Sequence, residues 1–170
     1  MNLLETLAQE HSKANTTKIV AYIGKNTARF AELMDLFLHS DYRTVQRAAW
    51  AVNYCGENHP EMITPYFGKM LENLRKENIH DAVKRNTVRL WQFVEIPHEY
   101  EGEVVDICFE YLKNAQSPVA VKIFSMSVLE KIIKKYPELS QELLFLIEDQ
   151  LPYQTAGFKH RGKRILEVLK

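Results

Sequence analysis

Apolar positions in this chain recur at spacings of three and four, and the pattern itself recurs. Val83, Thr87, Leu90 and Val94 fall on one face of a helix predicted over 83–94. A shift of 38 residues backwards lays 45–52 over it, with Val45, Ala48, Ala49 and Val52 in register. A shift of 38 forwards does the same for Val121, Phe124, Ser125, Val128 and Ile132. Each of these first helices runs towards a proline, at Pro60, Pro97 or Pro137, where one helix stops and another can start. The second helices carry Met62, Ile63, Tyr66, Phe67, Met70, Leu71 and Leu74; then Val104, Val105, Ile107, Cys108, Tyr111 and Leu112; then Leu143, Leu144, Leu146, Ile147 and Leu151. No alternating strand pattern bounded by hairpin turns appears. An evenly spaced helical self-similarity predicts stacked helical hairpins.

The ends differ from the middle. Residues 2–11 place Leu3, Leu4, Leu7 and Ala8 on one face, and Thr16 or Thr17 is expected to cap a second helix that Gly24 ends. Asn26 or Thr27 then caps a third, with Phe30, Leu33, Met34, Phe37 and Leu38 along it. The predicted plan is one domain over 1–170. Residues 1–40 form atypical N-terminal helices, 41–78, 79–116 and 117–154 are repeats, and 155–170 is a C-terminal cap helix. The cap is expected to cover the last repeat with Ile165, Leu166 and Leu169 while Lys159, Arg161, Lys163 and Arg164 stay largely in water.

Composition narrows the function. Lys plus Arg and Asp plus Glu number 22 each, which gives no support to a generic nucleic-acid or membrane binder. Locally the balance breaks: Glu95, Glu99, Glu101, Glu103, Asp106 and Glu110 form a run without Lys or Arg, and 159–164 is basic. Opposite patches of this kind can steer a partner, or another copy of the chain. Cys55 and Cys108 have no CxxC partner and read as buried thiols in a reducing compartment. The start, with Glu5 and Glu10, lacks a basic-then-apolar signal, and no apolar run approaches the length of a membrane span. A cytoplasmic location is expected. The six histidines have no zinc-like spacing, and glycine-rich phosphate loops and nucleophile elbows are missing. No cofactor, metal or catalytic residue is expected.

Val-Gln-Arg-Ala-Ala-Trp-Ala-Val at 45–52 resembles the first helix of a HEAT repeat, as do Asp81, Val83 and Lys84, and Val121 with Lys122. That resemblance implies an all-α fold, an α-α superhelix (solenoid) of HEAT-like helical hairpins. It also implies a non-catalytic protein-interaction or scaffold module whose partner is another protein. A narrower resemblance links Trp91 and Glu95, read as one helical turn apart, to the HEAT-like glycosylases that excise alkylated bases. In those enzymes a Trp and an acidic residue face the extruded nucleotide. Here the acid is Glu rather than Asp and lies two residues before Pro97. This makes nucleic-acid binding the alternative function.

The candidate binding residues follow from position in the repeat. Arg47, Arg85 and Lys122 form a recurring basic ladder, which serves either an anionic ligand or acids such as Asp41 and Asp81 in neighbouring repeats. Arg89 has no basic counterpart, since Ala51 and Ser127 stand at its equivalent positions. Trp50 and Trp91 are the only tryptophans, and Glu95 completes the set.

Overall fold

The computed structural model describes residues 1–170. Ten α-helices and four short 3₁₀ turns make up the chain, without strands. Two compact units divide at Pro97: Met1–Pro97 and His98–Lys170. The boundary falls inside the second predicted repeat, between its two helices.

The first unit holds α1 (Leu3–Gln9), α2 (Lys13–Ile23), α3 (Thr27–His39), α4 (Tyr42–Asn58), α5 (Phe67–Leu74) and α6 (Asp81–Trp91). Helix α4 is its centre and packs against α1, α2, α3 and α6. The sequence makes that crowding feasible, because Ala48, Ala49 and Ala51 are fully buried and let helix axes approach. Gly56 marks the tightest approach: a Cβ there would lie 2.6 Å from Leu90 Cδ1 and 3.1 Å from Ile63 Cγ1. Asp41 caps α4 by accepting from the Arg43 and Thr44 amides, which with the Thr44 hydroxyl holds its carboxyl below the usual range. The cap residue of α6, His80, stacks on Tyr42 at the start of α4, with centroids 4.9 Å apart.

Three boundaries differ from the predicted ones. Helix α2 starts at Lys13, four residues early, because Ser12 is the cap and accepts from the Asn15 amide. Buried Asn15 also donates to the carbonyls of Thr6 and Glu10, joining α1 to α2. The helix predicted from Met62 to Leu74 is broken into the turns Pro60–Met62 and Thr64–Tyr66 before α5, since Pro65 has no amide proton to continue the ladder. Helix α6 ends at Trp91 rather than at Val94, although Val94 and Ile96 beyond it are still buried.

The second unit holds α7 (His98–Lys113), α8 (Val119–Ile133), α9 (Ser140–Gln150) and α10 (Ala156–Leu169). Helix α8 is apolar almost all round and packs against α7, α9 and α10, the position such a helix needs. Helix α10 covers α8 and α9 with Phe158 and Ile165, both fully buried. Gly162 seats it on α9, where a Cβ would lie 2.8 Å from Ile147 Cγ2. One expectation is corrected: Arg161 is not in water but pairs with Glu130 of α8, with only 23% and 15% of the two side chains exposed.

Candidate functional site

The basic ladder does not form one stripe, because its members do three different jobs. Arg47 is half-buried on α4, and its Nη1 donates to the carbonyls of Leu7 and Ala8, both at 2.9 Å. It satisfies carbonyls that the end of α1 leaves without helical partners, in place of the expected acid. Arg85 and Arg89 stand one turn apart on α6, half-exposed. Neither guanidinium makes a hydrogen bond or an ion pair, whereas the neighbouring Lys84 pairs with Asp81 at 3.3 Å. Lys122 is only 3% exposed on α8, and its Nζ donates to Gln150 Oε1 at 2.7 Å. It therefore presents no charge to a ligand.

Burial without an anionic partner pushes the Lys122 pKa below its ordinary 10.5. Gln150 would remain satisfied without the lysine, since its Nε2 donates to the Leu112 carbonyl and its Oε1 accepts from Gln154. Lys122→Met is thus expected to raise stability at neutral pH by about 1–3 kcal/mol, the scale of a poorly compensated buried polar group. The sign of the pH dependence follows. The unfolded lysine holds its proton up to higher pH than the folded one, so wild-type stability rises as pH climbs towards 10.5. The advantage of Lys122→Met shrinks over that window. Urea melts at pH 7 and pH 10 check both statements.

Trp50 is half-buried on α4, its ring 5.1 Å from that of His11. Trp91 is fully buried and lies nearly parallel to Phe67, with centroids 6.0 Å apart and planes at 12°. Glu95 is exposed beyond the end of α6. The expected pairing of Trp91 and Glu95 on one helical face is corrected here: the helix stops between them, and one side chain is core while the other meets water. The structure offers no stacking wall at Trp91 for an extruded base.

A different surface emerges in the second unit, along α7. One groove of about 600 Å³ is lined by Val105, Asp106, Phe109, Glu110, Leu139 and Glu142, among others. A second recess of about 390 Å³ adjoins it through Val105, Asp106 and Leu139, and continues past Gly102 to His98, Tyr136 and Glu138. Val105, Phe109 and Leu139 supply the apolar floor. Asp106, Glu110 and Glu138 stand exposed on the rim without ion pairs. Lys113 closes one end, with its Nζ 2.5 Å from Glu142 and 5.5 Å from the Phe109 centroid.

The other end is fixed by Glu101, whose side chain is 8% exposed. Its carboxylate accepts from Lys135, from the Tyr136 hydroxyl at 2.6 Å and from His98 Nδ1 at 2.9 Å. The Lys135 and Tyr136 hydrogen bonds, followed by the one from His98, hold the Glu101 carboxyl down at about 2. These bonds tie the start of α7 to the segment that follows α8, so the groove is built on a braced helix. The acidic run was visible in the sequence, where a run of like charge reads as a solvated face or as a patch that steers a partner. Phe109, which carries the floor, is outside the apolar set read for this helix.

A HEAT repeat domain model matches residues 3–169. The chain belongs to the HEAT repeat family, with the all-α helical-repeat fold of that family. Comparison with curated proteins and with solved structures gives no match. HEAT repeats typically mediate protein interactions and are generally non-catalytic. No helix is long and apolar enough to cross a membrane, and no group of three or more His, Cys, Asp or Glu side chains is placed to hold a metal ion.

Proposed function

We propose that this chain is a non-catalytic, cytoplasmic protein-binding module that engages its partner through the α7 groove. The observation that supports this most is an apolar floor beneath acids that have no partner of their own, on a braced helix of a HEAT repeat chain. Both cysteines are free and buried, and burial pushes their thiols up to about 11 at Cys55 and about 12 at Cys108, which keeps them unreactive.

The test compares the chain with the isosteric double variant Asp106→Asn/Glu110→Gln, each immobilised and exposed to native lysate with and without nuclease treatment. Proteins held by the wild type and lost from the variant are the expected result, read by mass spectrometry. Capture that nuclease abolishes, or that ignores the groove variant, overturns the reading. Random duplex DNA is expected to bind weakly at moderate salt, with a shallow salt slope, since the net charge is zero. Sub-micromolar binding with a steep slope would install nucleic acid as the ligand.

A further inference from the structure

We infer that the groove takes a cationic amphipathic helix, its apolar stripe on Val105, Phe109 and Leu139 and its lysines or arginines against Asp106, Glu110 and Glu138. This rests on the protein-binding reading and specifies the chemistry of the partner. Three features of the groove carry it. Its rim is acidic: Lys113 is already paired with Glu142, and Lys135 with Glu101, so neither base offsets Asp106, Glu110 or Glu138. Its floor repeats along α7 at a spacing of four, from Val105 to Phe109, the spacing that receives the ridge of another helix. Its walls are helix α7 and the turn that leads into α9, with no strand among them, so an extended peptide would find no sheet edge to extend. Anionic ligands, including nucleic acid phosphates, are repelled by the same rim.

Gly102 provides a clean way to close the groove. It is exposed on α7 and lines the recess, and a Cβ there meets nothing within 4 Å, so the backbone admits a side chain. Gly102→Leu is expected to occupy part of the recess and to improve helix propensity.

Helix α7 has 16 residues and spans about 24 Å, so a helical probe of about 16 residues covers it. The probe is a fluorescein-labelled peptide of leucine and lysine at helical spacing, titrated with the full chain and followed by anisotropy. Saturable binding that weakens with salt is expected. Asp106→Asn/Glu110→Gln should weaken it about tenfold, within the range two exposed ion pairs give. Gly102→Leu should weaken it comparably while melting no lower than the wild type. A leucine–glutamate peptide of the same pattern should not bind.

Equal binding of a scrambled leucine–lysine peptide, or undiminished binding by either variant, overturns the inference. So does the absence of peptide binding altogether, while the lysate experiment judges the protein-binding reading separately. The chain's own α10 exposes Lys163 and Arg164. If light scattering finds a concentration-dependent dimer that Asp106→Asn/Glu110→Gln dissolves, the groove belongs to a second copy and the inference fails.

Discussion

Deleting residues 156–170 is expected to unfold the second unit well below the melting temperature of the intact chain. Phe158 and Ile165 of α10 are fully buried, and Leu166 and Leu169 are partly so. Two such side chains account for about 3–6 kcal/mol of burial, an upper figure because the unfolded chain already hides some apolar surface. Their loss also uncovers Ile147 of α9, which is now completely excluded from water and meets α10 at Gly162. A domain margin of about 5–15 kcal/mol does not absorb such a change easily. For a unit of this size, each kcal/mol moves the transition by about 4–8 °C, so a fall of at least ten degrees is expected. Light scattering should show self-association through the exposed α8 and α9. Phe158→Ala, which keeps the chain length, should cost about 3–5 kcal/mol by itself. If the truncated chain melts like the full one and stays monomeric, α10 is not a cover, and its basic residues are free to act as an arm.

Much of this fold is legible because the repeat writes it three times. Val45, Val83 and Val121 are buried at successive offsets of 38. The small residues of α4 announce close packing in a way that needs no partner sequence to interpret. Prolines mark the changes of helix correctly at Pro60, Pro97 and Pro137.

What repetition cannot tell is which copy of a position meets solvent. Gln46, Lys84 and Lys122 share one register, yet Gln46 is exposed, Lys84 is half-buried and Lys122 is 3% exposed. The difference at Lys122 comes from Gln150, which lies 28 residues away in sequence and closes over it. Arg161 behaves likewise, since its partner Glu130 is two helices back. The groove escaped for a related reason. Asp106, Glu110 and Lys113 are local to one helix, but Glu138 and Glu142 come from the far side. The concavity depends on how far Leu139 and Glu142 stand from α7, and periodicity along one helix does not encode that distance.

Trp91→Ala tests the boundary between the two readings of the first unit, and a loss of about 3–5 kcal/mol is expected. The ring has no exposed surface and lies against Phe67, so its removal opens a cavity between α5 and α6. A stacking wall for a ligand would behave oppositely: its truncation would abolish binding and leave the melting temperature nearly untouched. Trp91 Nε1 has no hydrogen-bond partner, so Trp91→Phe removes an unsatisfied donor together with part of the ring volume. The two effects oppose each other, and Trp91→Phe should cost much less than Trp91→Ala. Urea denaturation of both variants separates the cases. A wild-type midpoint for Trp91→Ala would show that the ring contributes little to the core and would return Trp91 to the list of ligand contacts. A steep loss for Ala with a shallow one for Phe would fix it as packing, and leave half-exposed Arg85 and Arg89 as the unpaired cations of α6.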